Sequence, residues 1–205
     1  ASLGLPRGIP VTTGASDQAA AATGCGLLDP GPMLVTLGSG GQVFTPLAAP
    51  AADAALRVHL FCHASPERWH LLGAVQNVGV ALDWVRRTLG WDWEALYGRA
   101  AEVPAGAEGV TFLPYLTGER TPYMDPRARA AWSGLALSHT PAHMARAAIE
   151  GAAYSVADAV EACIEAGGEP DEIALTGGGA EHVLPRRILA DVLGRPLRRA
   201  HVKDC

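Results

Sequence analysis

Glu172–Thr176 (EIALT) runs straight into Gly177-Gly178-Gly179, and a helix-patterned stretch resumes near Pro185, with Ile188, Leu189, Val192 and Leu193 ahead of Gly194. A β-prone run, three glycines and an amphipathic segment admit few arrangements. The strand must end in a tight turn, and the helix must then cover the sheet that the strand belongs to. One glycine would serve for the turn, and each further one adds chain entropy that folding has to overcome. Three in a row therefore point to a ligand approaching the backbone closely. The N–H groups left free at the helix start suit a nucleotide.

The rest of the chain supplies the layers. Met33–Leu37 (MLVTL), closed by Gly38-Ser39-Gly40-Gly41 and resumed by Val43 and Phe44, predicts a glycine-tipped β-hairpin. Pro46–Ala55 reads as a loop, and Leu56–Cys62 and Trp69–Leu72 as short strands joined around Ser65-Pro66. From Gly73 the apolar residues Val75, Val78, Leu82, Val85 and Leu89 recur at three- and four-residue steps, which predicts a helix ending at Gly90. Trp91–Ala101 predicts a short helix, Val110–Leu113 a strand, and Pro114–Gly134 a long irregular segment. Thr140-Pro141 opens a long helix with Met144, Ala148, Ala152, Val156, Ala159 and Cys163 on one face, its alanines suited to close packing. The expected fold class is α/β, a mixed sheet flanked by helices.

Composition removes several chemistries. The net charge of −5 displays no basic surface for nucleic acid, and no apolar run is long enough to span a membrane. Lys203 is the only lysine, so no Walker A loop exists, and a Schiff-base lysine would have to sit three residues from the end. A protein like this that handles phosphate would use glycine loops, helix N-termini and a metal. Cys25, Cys62, Cys163 and Cys205 are far apart, form no C-x-x-C pair and read as reduced thiols of a cytoplasmic protein.

Four further features could carry chemistry. The Gly38–Gly41 tip could hold phosphate oxygens through its amides and the Ser39 hydroxyl, or could be ordinary hairpin chemistry. Asp17, alone among small uncharged residues in VTTGASDQAAAATG, could serve as a general base or as a cap for the run after it. His59, Cys62 and His63, and likewise His139 and His143, have metal-like spacing, although on a strand His59 and Cys62 would face opposite sides. Glu119 and Arg120 could touch a ligand or brace their own loop.

Together these stretches resemble the FGGY family of carbohydrate kinases. PVTTGASDQAAAATG is similar to the family's catalytic-aspartate segment, LGSGG to its phosphate-binding hairpin, LTGGGA to its adenosine loop, and FLPYLTGERTPYMDPRARAAWSGL to its central signature. Within the family, HLFCHASPERWHLLGAVQNVGVALDWVRRTLG and FLPYLTGERTP look most like the branch that phosphorylates D-xylulose, while GASD leans toward the gluconate branch.

The resemblance implies an actin/hexokinase/Hsp70-like (ribonuclease H-like) domain and ATP-dependent phosphorylation of a sugar hydroxyl. Asp17 would be the base, and Gly38, Ser39, Gly40, Gly79, Gly177, Gly178 and Gly179 would contact ATP, with Mg²⁺ travelling on the nucleotide. Residues 1–30 would be the tail of an N-terminal sugar-binding domain. Residues 31–205 would form most of the nucleotide-binding domain, so the chain would be a kinase fragment, inactive by itself. The implied partners are a sugar and ATP, with a homodimer as a further assembly and neither nucleic acid nor a membrane involved. A nucleotide-binding module of the same fold without kinase activity is the rival expectation.

Overall fold

The computed structural model describes residues 4–11 and 14–200. Six strands, β1 (Pro32–Leu37), β2 (Gly41–Leu47), β3 (His59–Cys62), β4 (Trp69–Val75), β7 (Glu172–Thr176) and β8 (Leu197–Arg199), build one sheet in the order β3-β4-β2-β1-β7-β8. β1, β7 and β8 run parallel, while β2 and β4 pair antiparallel on the other side, so the sheet is mixed as expected. The remaining strands, β5 (Thr111–Leu113) and β6 (Ala131–Ser133), pair apart from it.

The helices are α1 (Asp17–Gly24), α2 (Gly79–Thr88), α3 (Trp93–Ala101), α4 (Pro141–Glu165) and α5 (Val183–Leu193). Alternation along the strands sorts the core into two faces. Met33, Val35, Val43, Leu71, Val75, Ile173 and Leu175 pack with the apolar sides of α2–α5. Leu34, Phe44 and Ala174 pack with Ala22 and Leu27, at the end of α1 and just beyond it.

The small residues of α4 bring it close to its neighbours. A Cβ at Gly73 of β4 would stand 3.2 Å from Cys163 Sγ and 3.4 Å from the carbonyl oxygen of Ala159. At Gly151 of α4 a Cβ would run into the carbonyl oxygen of Phe112 in β5. Backbone cannot swing aside as a side-chain tip can, so Gly151→Val is expected to destabilise the fold by about 3 kcal/mol or more. Urea unfolding of the variant checks this, and a midpoint within error of the parent would show that β5 yields freely.

Three expectations are corrected. The helix read from Gly73 begins at Gly79, because β4 continues to Val75 in register with β2 as far as Gly41. The alternation of buried Leu71, Gly73 and Val75 mimics a helical step over so short a window. The last helix starts at Val183, after a 3₁₀ turn over Gly178–Ala180, rather than near Pro185. Cys62 and Cys163 are free thiols, whereas Cys25 is disulfide-bonded, a cross-link that no spacing in the sequence announces.

On the α1 face lies an unusual group. His70 is 1% exposed, and neither of its ring nitrogens has a hydrogen-bond partner among the described residues. It stacks on Phe44 at 4.3 Å and 22°, edge-on to His63 at 5.8 Å. His63 is fixed by its neighbours: Nδ1 accepts from the Ser65 amide and Nε2 lies 2.9 Å from the Leu27 carbonyl oxygen, so the proton belongs on Nε2. Burial, with a smaller contribution from His63, pushes the His70 pKa from 6.5 down to about 4.

The fold therefore refuses a proton that the unfolded chain accepts between these two values. Stability is full above about pH 6.5 and falls by up to about 3 kcal/mol as pH drops toward 4. His70→Phe keeps an apolar ring in the stack and is expected to flatten this dependence. Urea midpoints at pH 7 and pH 4.5 measure it, and equal acid losses in both proteins would assign the loss to other groups.

Candidate functional site

The site starts from the hairpin tip. The carbonyl oxygen of Gly38 accepts from the Gly79 amide at 3.1 Å, and that of Ser39 accepts from the amides of Val78 at 3.3 Å and Val80 at 2.9 Å. α2 has no side-chain cap of its own, so the tip supplies the acceptors that its first turn needs. Two glycines make the approach possible. A Cβ at Gly79 would strike the Gly38 oxygen, and one at Gly40 would strike the Val75 oxygen.

A second element holds the same junction from below. Glu119 is 2% exposed, and its Oε1 accepts from the amides of Gln76 at 2.6 Å and Arg120 at 2.8 Å. Asn77, fully buried, donates from Nδ2 to the Gly118 carbonyl and accepts at Oδ1 from the Thr117 amide and hydroxyl. Thr121 exchanges hydrogen bonds with Ala74, accepting at its hydroxyl from one amide while its own amide donates to the Ala74 carbonyl. Of the two roles open to GERTP, Glu119 takes the bracing one. Arg120 turns instead to the sheet edge, its Nη2 3.0 Å from His59 Nε2.

The GGG segment closes the third side. Gly177 takes φ of 86°, and a Cβ there would lie 2.6 Å from the Leu37 oxygen. The amides of Ala180 and Glu181 fold back onto the carbonyls of Gly177 and Gly178. The α5 start is capped by His182, whose Nδ1 accepts from the Leu184 amide at 3.3 Å. Gly178 faces open space.

Between these elements lies a cavity of about 850 Å³. Gly38, Ser39, Gly79, Gly178 and Gly179 line it, brought together from three separate parts of the chain. Gly40 and Gly177 are not among its lining residues, and close backbone contacts account for both. Trp93, Tyr97, His182 and Pro185 line it as well, as do Ile149, Ala152 and Val156 of α4. Trp93 and Tyr97 sit four apart on a helix, a signal visible in the residue types, but the sequence does not say what they face.

Among the described residues the lining holds three carboxylates, Asp83, Glu94 and Glu181, and no arginine or lysine. Asp83 is paired with Arg86 at 2.6 Å and Arg87 at 2.7 Å, and Glu181 with Arg199 at 2.5 Å. Glu94 makes no ion pair among the described residues. The size and the mixture of apolar wall and bare backbone suit a nucleotide-sized ligand.

Asp17 lies elsewhere. It is the exposed first residue of α1, where its Oδ1 accepts from the Gln18 amide, and the cap of that helix is Ser16. Of the histidines with metal-like spacing, His59 lies against Arg120, while His63, His139 and His143 bond to the backbone. His139 Nδ1 accepts from the Ala136 amide and His143 Nδ1 from the Thr140 amide. Among the described residues no group of three or more His, Cys, Asp or Glu could hold a metal ion, and no helix is long and apolar enough to cross a membrane.

A family model for the FGGY family of carbohydrate kinases, C-terminal domain, matches residues 33–205. The chain belongs to the FGGY family of carbohydrate kinases. A xylulose kinase of Escherichia coli K12 is 38% identical over 190 residues, covering 92% of this chain and 39% of the relative. A gluconokinase of Bacillus subtilis 168 is 33% identical, covering 93% and 39%. The crystal structure of a xylulose kinase from Rhodospirillum rubrum superposes with a TM-score of 0.84 at 35% identity, over 96% of this chain and 40% of that one. The chain spans about two fifths of the length of the curated relatives it matches. The mixed sheet flanked by helices is the actin/hexokinase-like fold of these kinases.

The brace yields a prediction. Glu119→Ala leaves the Gln76 amide without its acceptor and opens a hole behind the hairpin dock. It is expected to cost about 2–4 kcal/mol in stability, more than Arg120→Ala at the exposed edge. Chemical denaturation of the two variants compares them, and equal losses would remove Glu119 from its bracing role.

Proposed function

We propose that the chain is the nucleotide-binding part of an ATP-dependent sugar kinase whose acceptor is D-xylulose. The observation that carries this is the convergence of Gly38-Ser39, Gly79 and Gly178-Gly179 on one cavity. The xylulose kinases among its relatives favour the acceptor. In this reading residues 1–30 end a sugar-binding domain and residues 31–205 bind ATP. The protein works in the cytoplasm on two small molecules, sugar and nucleotide.

The phosphates lie along the hairpin tip and Gly178, where amides and the Ser39 hydroxyl can donate. The base occupies the Tyr97–His182 end. Mg²⁺ carried by the nucleotide would supply charge neutralisation that the described lining residues, with no arginine or lysine among them, do not. Asp17, exposed at the start of α1, takes the proton from the attacking sugar hydroxyl. Such base catalysis contributes about 10²–10⁴ in rate, and the rest of phosphoryl transfer rests on positioning and charge.

A second acceptor, gluconate, is favoured by the gluconokinase relative. ADP release by the full-length protein, with D-xylulose, gluconate and glycerol offered in parallel, separates the sugars. Release with none of them would favour a nucleotide-binding module without kinase activity. In the same protein Asp17→Ala is expected to lower kcat by about 10² or more while ADP affinity stays within about twofold. Full activity in that variant would overturn the assignment of the base.

A further inference from the structure

Between β3 and β4 the chain turns through residues 63–68, and this turn grips the segment that joins α1 to β1. The His63 amide donates to the Arg68 carbonyl at 2.9 Å and the Ser65 amide to His63 Nδ1 at 2.8 Å, so the turn holds its own shape. It reaches out at two points. His63 Nε2 bonds the Leu27 carbonyl at 2.9 Å, and Arg68 pairs with Asp29 at 3.0 Å. The family match begins at residue 33, so both gripped residues precede the stretch that contains the grip.

Leu27 carries the contact into the helix. Its amide donates to the Ala22 carbonyl of α1 at 2.8 Å, while its own carbonyl bonds His63. Its side chain is buried with Ala22, Leu34 and Phe44. A single residue thus links the last turn of α1 to the β3–β4 turn. The His63 ring is itself fixed. Phe44 and His70 meet it edge-to-face at 5.5 and 5.8 Å, and the Ser65 amide keeps its proton off Nδ1 and on Nε2.

We propose that His63 is a positioning residue for phosphoryl transfer, acting through Leu27 and α1 on Asp17. This role rests on the reading of Asp17 as the base given above. α1 runs from Asp17 to Gly24, a length of about 12 Å at the helical rise, so a swing of about 5° about its gripped end displaces Asp17 by about 1 Å. A displacement of about 1 Å in a reacting group costs up to about 10² in rate. Cys25, the C-cap of α1, is disulfide-bonded and restrains the same end. A reductant in the assay takes that restraint away.

The test is steady-state kinetics of the full-length protein under reducing conditions, with the sugar it accepts, on the parent, His63→Leu and His63→Gln. Leucine fills the apolar site but donates nothing, whereas the glutamine amide can still donate to the Leu27 carbonyl. His63→Leu is expected to lower kcat about tenfold while the KM for ATP stays within about twofold, and His63→Gln to recover most of the loss. A merely structural role would move both constants or leave glutamine as poor as leucine. Either result, or an unchanged kcat in His63→Leu, overturns the proposal. If His63→Leu does not fold, Arg68→Ala loosens only the exposed half of the grip and is expected to lose about twofold in kcat. No loss in that variant overturns the proposal in its turn.

Amide hydrogen exchange over residues 18–27 separates the grip from the base assignment. His63→Leu is expected to speed exchange of the Leu27 amide and the last turn of α1 by about fivefold, the equivalent of one hydrogen bond. Unchanged exchange overturns the grip and leaves the reading of Asp17 standing. Faster exchange together with full activity in Asp17→Ala keeps the grip and overturns its part in the reaction. If no sugar supports ADP release by the parent, the kinase reading fails, the action on Asp17 fails with it, and exchange alone decides the grip.

Discussion

The carbonyl oxygens of Gly38 and Ser39 cap a helix that belongs to another part of the sheet. Helix α2 begins without a side-chain cap, and its first amides would each cost about 1–3 kcal/mol if buried unpaired. The hairpin tip meets that need, and in doing so it is itself fixed in place. The amides and hydroxyl at the tip can then be aimed without being ordered by a ligand. Everything else around the cavity either allows this docking or protects it. Gly40 and Gly79 remove the side chains that would hold the two backbones apart, and the Glu119–Asn77–Thr121 network immobilises the strand end from which α2 springs.

That network also explains a buried carboxylate with no cation against it. Glu119 accepts at one oxygen from two backbone amides, and the Asn77 amide approaches the other at 3.5 Å. Hydrogen bonds from fixed dipoles compensate a buried charge as an ion pair would. Such bonds have a direction, which an ion pair on long side chains lacks. The loop from Leu116 to Asp125 is consequently long but ordered, and through Glu119, Gly118 and Thr117 it supports the site mechanically.

Much of the fold was legible because its signals are local. The β1–β2 hairpin, the strand Glu172–Thr176 and the Thr140-Pro141 helix start each depend on residues adjacent in sequence, and each is found as read. The start of α2 was misplaced because Leu71, Gly73 and Val75, a strand face, continue without a break into a helix face at Val78 and Leu82. Only pairing with β2, thirty residues away in the chain, separates the two. The glycines of the site were visible as residue types. Which of them line a cavity and which merely let backbones touch is a matter of three-dimensional packing, and Gly40 and Gly177 fall on the packing side. The aromatic column of Trp93, Tyr97 and His182 joins two helices eighty residues apart, so no local pattern could have revealed it.

The placement of charge completes the argument. A cavity lined by Asp83, Glu94 and Glu181 would repel phosphate if those carboxylates were free. Asp83 and Glu181 are not free, since Arg86, Arg87 and Arg199 neutralise them while staying off the cavity wall. The wall is thus close to neutral rather than attractive. Binding an anion there must draw on backbone amides and on the counter-ion that the anion brings. The single lysine of the sequence accords with the proposed function: the described wall offers a phosphate no ammonium group, and the proposed nucleotide would bring its own neutralising cation.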